Sequence, residues 1–80
     1  MLDALKKGSK AVGVKQTKKA VQSGQAECVY IAQNADPIVT DPVVGLCETH
    51  GISVNYVSSM SVLGEACGIK VGAAVAALLR

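Results

Sequence analysis

The chain has 80 residues, half of them apolar, and a formal net charge of +2. Such a chain makes one domain with a modest core, since it buries only roughly 60% of the surface that its unfolded form exposes. We expect this domain to span residues 1–80, because the apolar fraction excludes a disordered chain. Only Tyr30 and Tyr56 are aromatic, which excludes a broad aromatic surface for stacking bases.

Positive charge is concentrated at the start of the chain. Residues 1–19 contain six lysines and one aspartate, whereas residues 20–80 contain two basic and five acidic residues. A cationic segment beside an acidic body predicts that one face of the protein meets a polyanion. A lysine face that only maintains solubility is the alternative that charge leaves open.

Cysteine usage and hydropathy favour a cytoplasmic protein without membrane contact. Cys28, Cys47 and Cys67 are an odd number of thiols with no C-x-x-C pair, which favours reduced cysteines in the core. The longest uncharged apolar run, Val71 to Leu79, is shorter than the ~20 residues of a membrane span. No secretory signal is visible at the start of the sequence.

In chain order, the sequence first predicts a short helix over residues 2–7, closed by Gly8, and a short apolar step at Ala11–Val12. A helix from Val14 to Ser23 and a buried strand from Cys28 to Ala32 follow. The second helix is predicted by the helical spacing of Val14, Thr17 and Val21, with Gly24 as its stop. The strand is a continuous run of β-prone residues.

The later part of the chain begins with a turn at Asn34–Pro37. A helix follows that has Thr40 as its cap and Pro42 in its first turn, and it ends at Gly51. A strand over Ile52–Tyr56 and a helix from Ser58–Ser59 to Gly68 come next. The tail is ambiguous, because its alanines favour a helix and its valines a strand. Helices and strands thus alternate, which predicts a layered α/β fold with a largely parallel sheet.

Residues 8–15 nearly form a phosphate-binding loop of the G-x-x-x-x-G-K-[ST] type. Val14 separates Gly13 from Lys15, and Gln16 stands where the Mg²⁺-binding hydroxyl belongs. The geometry of that loop does not tolerate the shift, so nucleotide hydrolysis is not expected.

Cys47 and His50 lie one turn apart on a predicted helix, where they could share a metal ion or form a nucleophile and base. No other cysteine or histidine lies near them in the sequence to complete a metal site. A buried thiol and a histidine at a helix end explain the pair better. We therefore expect no catalytic residues, no metal, no cofactor and no enzyme activity.

The start of the second helix combines groups for binding phosphate and for reading bases. Gly13 lets the chain turn into the helix, whose free N–H groups from Val14 onward form an anion site. Gln16 can donate and accept hydrogen bonds, as recognition of a base edge requires. The lysines of this segment are Lys15, Lys18 and Lys19.

The loop after the last predicted helix is a second candidate for RNA contact. Ile69 and Lys70 follow Gly68, and an apolar side chain on a loop can pack on an unstacked nucleotide while a lysine meets phosphate. The alternative is that Ile69 and Val71 begin the last strand and are buried, which we prefer for Val71.

Three ordered motifs make the chain similar to the ribosomal L-seven-Ae family of kink-turn RNA-binding proteins, and closely to its short bacterial members. The family's Gly-x-Asn-Glu-x-x-Lys motif corresponds to Gly13–Lys19, with Lys15 and Gln16 in place of Asn and Glu. Its Ala-x-x-x-Asp-Pro turn corresponds to Ala32–Pro37, and its second RNA-contacting loop to Leu63–Val71. The resemblance covers essentially the whole chain.

The resemblance implies a three-layer α/β/α sandwich with a four-stranded mixed sheet, in which the tail is a strand. It implies that the first motif binds the sheared G·A pairs of the kink and that Ile69 covers a flipped-out nucleotide. The RNA-binding residues so implied are Gly13, Val14, Lys15, Gln16, Lys18, Lys19, Gly68, Ile69 and Lys70.

The expected function is therefore non-catalytic recognition and stabilisation of kink-turns in structured RNA, such as ribosomal or riboswitch-like RNA. The protein would act as a cytoplasmic monomer that associates with the ribosome. The alternative is a protein-binding or other-RNA-binding subunit of a larger ribonucleoprotein assembly. It fits the altered first motif, since the uncharged oxygen of Gln16 accepts a weaker hydrogen bond than a carboxylate.

Overall fold

The computed structural model describes residues 2–80, in which helices and strands alternate. In chain order they are α1 (Leu2–Lys7), β1 (Lys10–Val12), α2 (Val14–Gln22), β2 (Ala26–Ala32), α3 (Pro37–His50), β3 (Ser53–Val57), α4 (Met60–Ala66) and β4 (Val75–Leu79). The four predicted helices and two predicted strands are confirmed, with shifted ends. The apolar step at Ala11–Val12 belongs to a strand, and the ambiguous tail forms β4.

The strands form one sheet in the order β1-β4-β2-β3. Strand β4 is antiparallel to both of its neighbours, and only β2 and β3 are parallel. The mixed sheet implied by the family resemblance is confirmed, and the largely parallel sheet expected from the alternation of elements is wrong. After the short helix α4 the chain returns to the end of the sheet at which that helix began. The N–H of Ala73 donates a hydrogen bond to the carbonyl oxygen of Met60, the first residue of α4 (3.0 Å).

Both faces of the sheet are covered, which makes the fold a three-layer α/β/α sandwich. Leu5 of α1 and Leu63 of α4 are fully buried on one face. Val21 of α2 packs with Val43 and Cys47 of α3 on the other. Strand β4 is central and buried on both faces, so its small side chains let the two helical layers close on the sheet.

Helix α3 begins at Pro37 rather than after Thr40, which corrects the predicted boundary. The side chain of Asp36 accepts a hydrogen bond from the N–H of Ile38 (3.0 Å), and Pro37 occupies the first turn. The pair Asp36–Pro37 thus meets the same cap-and-proline requirement that we had assigned to Thr40 and Pro42. Pro42 lies inside the helix, where it removes one backbone hydrogen bond.

Candidate nucleic-acid interface

One edge of the sheet brings together the segments that carry the sequence motifs. The carboxyl ends of β1, β2 and β3 meet the amino end of β4 there, because β4 is antiparallel to β1 and β2. Gly13 follows β1, the turn at 33–36 follows β2, and the loop at 67–74 leads into β4. We call this end of the sheet, where strand termini lie, the motif edge.

Backbone hydrogen bonds fix the motif edge directly. The N–H of Gly13 donates to the carbonyl oxygen of Val75 (3.0 Å), and the N–H of Ala32 donates to that of Ala74 (2.9 Å). The first residue of β4 is therefore bonded to the first motif, and the residue before it is bonded to the second. Motifs that are far apart in the sequence thus lie at the same end of the sheet.

Gly13 gives the chain the backbone angle that starts α2. Its φ of +101° lies in the region that favours glycine, and no side chain caps the helix. The caps of the neighbouring helices are side chains, Asp36 for α3 and Ser59 for α4. Because first-turn N–H groups lack acceptors inside a helix, those of Val14–Gln16 at the motif edge are available to an anion.

The predicted side chains of α2 divide between packing and exposure. Lys15, Gln16 and Lys19 are exposed and Lys18 is half-buried, while Thr17 is buried on the face that meets the sheet. Among residues 2–80, no lysine of this helix has an ion-pair partner. The helix therefore presents cations that no carboxylate neutralises.

A shallow cleft of about 400 Å³ lies between α2 and the edge formed by β1 and the end of β4. Gln16 and Lys19 border it, and so does the exposed side chain of Gln25. Sequence reasoning missed Gln25, because a single glutamine after a turn carries no local signal. The amide groups in this cleft can bind the polar edges of bases, and the ammonium group of Lys19 can bind a base acceptor or a phosphate.

Helix α4 holds the second predicted loop in place. The N–H of Ile69 donates to the carbonyl oxygen of Gly64 (3.1 Å), directly after Gly68. A methyl group at Gly64 would collide with the carbonyl oxygen of Val71, and it would also lie close to the Cα atom of Gly72. The glycine at position 64 is thus required for the loop to pack on the helix.

Two apolar side chains of this loop are exposed. Ile69 is 36% exposed, Val71 is 71% exposed, and Lys70 is exposed beside them. The preference for Val71 as a buried strand residue is wrong, because β4 begins only at Val75 and the Val71 carbonyl faces α4. Gly72 directly after it was the available signal for a loop residue.

Asn34 ties the turn after β2 to the start of α4. Its side-chain oxygen accepts a hydrogen bond from the N–H of Met60 (2.8 Å). Since Met60 also accepts from the N–H of Ala73 (3.0 Å), the turn, the helix and the loop are linked in series. The sequence placed Asn34 in a turn and gave no indication of this contact with a distant segment.

Cys47 and His50 lie in different surroundings. Cys47 is fully buried, and burial raises the pKa of its thiol, so it stays protonated at neutral pH. His50 is exposed at the end of α3. All three cysteines are free, with Cys28 only half-buried. Within residues 2–80 no three His, Cys, Asp or Glu side chains are grouped so as to hold a metal ion.

None of the helices in residues 2–80 has the length and hydropathy needed to cross a membrane.

Comparison with known proteins assigns the family. Residues 1–80 match the profile of the ribosomal protein L7Ae/L30e/S12e/Gadd45 family. An RNA-binding protein of Geobacillus sp. (strain WCH70) is 42% identical over 76 residues, which are 95% of this chain and 93% of that protein. The RNA-binding protein YbxF of Geobacillus stearothermophilus is 40% identical with the same coverage.

A solved structure shows the same fold. The 15.5kD RNA binding protein of Giardia lamblia superposes with a TM-score of 0.91 at 32% identity, covering 99% of this chain and 70% of that one. The chain belongs to the ribosomal protein L7Ae/L30e/S12e/Gadd45 family, and the resemblance seen in its motifs is confirmed.

Gly64→Ala tests how the loop is held. The added methyl group must displace the Val71–Gly72 backbone, so we expect a loss of about 1–3 kcal/mol in the free energy of unfolding. Gly45→Ala is the matched control, because a methyl group there meets nothing within 4 Å and a helical alanine gains about 0.5–1 kcal/mol over glycine. Urea unfolding measures both, and equal effects would contradict the close approach.

Proposed function

We propose that residues 1–80 form a single, non-catalytic RNA-binding domain that recognises and stabilises kink-turns in structured RNA. The observation that carries the proposal is that the uncapped, lysine-flanked start of α2 and the loop leading into β4 lie at the motif edge, where the Gly13 N–H donates to the Val75 carbonyl oxygen. The relatives that are named RNA-binding proteins support it.

The start of α2 binds the sugar–phosphate backbone in this proposal. The N–H groups of Val14–Gln16 point out of the helix end, where the helix dipole also favours an anion. Lys15, Lys18 and Lys19 add charge that no carboxylate in residues 2–80 neutralises. Backbone contacts of this kind position the RNA and do not read its sequence.

Gln16 reads the kink. Its exposed amide at the cleft can accept from guanine and donate to an adjacent base. A neutral amide makes a weaker bond than the carboxylate that the family motif carries at this position. Affinity in this chain therefore depends more on phosphate contacts than on one strong base contact.

The loop covers an unstacked nucleotide. Ile69 and Val71 offer apolar surface on a loop that α4 and β4 hold in place, and Lys70 lies beside them for a phosphate. Apolar contact with a splayed base needs no aromatic ring, which suits a chain with only two tyrosines.

The setting follows from the same proposal. The domain acts as a cytoplasmic monomer on ribosomal or riboswitch-like RNA, without enzymatic activity or cofactor. Free cysteines fit a reducing compartment. The apolar side chain of Ile38, 83% exposed beside Val39 at the start of α3, favours a second candidate: a protein-binding subunit of a ribonucleoprotein assembly.

RNA affinity separates these candidates. We expect the protein to bind a kink-turn RNA on the order of a thousandfold more tightly than a plain duplex of equal length at the same salt concentration. A third RNA, with the G·A pairs replaced by Watson–Crick pairs, controls for composition. Calorimetry gives the three affinities. Equal affinity for all three would contradict kink-turn recognition and reduce the interaction to non-specific charge binding, and no binding to any of them would favour the protein-binding candidate.

Gln16→Ala and Ile69→Asp test the two halves of the site together. Each should weaken kink-turn binding by about 1–3 kcal/mol, through loss of a base contact and of apolar contact plus added repulsion, respectively. Gln22→Ala, an exposed glutamine at the other end of α2, should have no effect on affinity.

Thermal melting of the free proteins accompanies these affinities. Val62→Asp controls for Ile69→Asp, because Val62 is exposed to the same degree (37% against 36%). If Ile69→Asp lowers the melting temperature far more than Val62→Asp does, Ile69 is a core residue. If Gln16→Ala and Ile69→Asp both bind as the wild type does, the site is misplaced.

A further inference from the structure

Two lysines, Lys6 and Lys7, lie outside the site just described, and Lys10, which also lines the cleft beside α2, connects them to it. Lys6 and Lys7 are in the last turn of α1, and Lys10 begins β1; we call these three the α1–β1 lysine group. Helix α1 packs on the face of the sheet opposite to α2, and β1 is an edge strand that pairs only with β4. Strand β1 therefore lies between Lys6 and Lys7 on one side and the lysines of α2 on the other.

One hydrogen bond joins two members of the α1–β1 lysine group. The ammonium of Lys10 donates a hydrogen bond to the carbonyl oxygen of Lys6 (3.3 Å) at the end of α1. Lys6 and Lys7 are exposed, and within residues 2–80 none of the three has an ion-pair partner. The carbonyl end of a helix favours nearby cations, and all three lysines lie there, but the exposed ammonium groups of Lys6 and Lys7 are available to an anion.

Positive charge therefore predominates along the edge strand β1. The six lysines of α1, β1 and α2 lie along or on both sides of this strand with Asp3 as the one acidic residue, whereas the acidic residues after position 19 lie in β2, α3 and α4 or at the start of α3. Like charges along one edge repel each other in the free protein, and a polyanion laid along the edge removes that repulsion.

The surface lacks the anchors of a protein interface. The exposed large apolar side chains of the described residues lie in α3, β3, α4 and the loop before β4, and not in α1, β1 or α2. Protein interfaces depend on buried apolar and aromatic anchors. A surface on which six lysines stand against the single carboxylate of Asp3 suits the phosphates of a nucleic acid better than an acidic protein.

The distance matches a helical stem that continues from the kink. At about 3.3 Å per residue, Lys10 lies roughly 10 Å along β1 from Gly13 at the motif edge. A nucleic-acid duplex presents several phosphates over such a length. We propose that the α1–β1 lysine group binds backbone phosphates of a stem flanking the kink, so that the RNA site extends along the β1 edge. This inference rests on the proposed function.

The test uses the full chain and two kink-turn RNAs, one with long stems and one with stems cut close to the kink. In Lys6→Gln/Lys7→Gln, the slope of log K against log salt for the long-stem RNA should fall in magnitude by about 1–2, because one or two phosphate contacts are lost. Binding of the short-stem RNA should be unchanged. These side chains make no hydrogen bond through their ammonium groups within residues 2–80, so folding is preserved.

A charge-matched control separates a local contact from net charge. Thr49→Glu/Ser53→Glu makes the same change in charge at exposed positions in the last turn of α3 and at the start of β3 and should leave the slope as in the wild type. An equal loss of slope in this control would overturn the inference, as would an unchanged slope in the lysine variant. The proposed function fails separately, if the wild type does not distinguish a kink-turn from a duplex.

Discussion

The position of β4 in the sheet is the constraint on which the other features depend. This strand enters between β1 and β2 and is antiparallel to both. Its amino end accepts hydrogen bonds from Gly13 on one side and, through Ala74, from Ala32 on the other. If β4 were parallel to its neighbours, the loop before it would lie at the opposite end of the sheet. The two segments proposed to contact RNA would then lie far apart.

Burial on both faces explains why the sequence left β4 ambiguous. Val75, Ala76 and Ala77 are fully buried, and small side chains there allow helices to pack on both faces of the sheet. Alanine favours a helix when it is considered alone. Strand preference depends on packing more than on the residue itself, so the valines left the choice open and only the family resemblance decided for the strand.

Two other predictions from the sequence, the start of α3 and the direction of the strands, were wrong because local pattern does not decide them. Asp36–Pro37 and Thr40–Pro42 both offer a cap followed by proline, and local pattern did not decide which begins α3. The alternation of helices and strands predicted a largely parallel sheet, but it does not fix the edge to which the chain returns after a short helix such as α4.

The candidate site was predictable where the signal is local. The exposure of Lys15, Gln16 and Lys19 follows from helical spacing around the buried Thr17. The roles of Asn34 and Gln25 were not predictable, because each depends on a neighbour that is distant in the sequence. Long-range contacts of this kind leave no periodic pattern.

The central claim is that separate segments at the motif edge form one surface for RNA. Backbone amide chemical shifts of the labelled protein, followed by NMR as kink-turn RNA is added, test it most directly. We expect the largest changes at Val14–Gln16 and Gly68–Val71, with little change at the exposed turn around Gly51 at the opposite end of the sheet. Changes confined to one of the two segments, or largest around Gly51, would contradict the account.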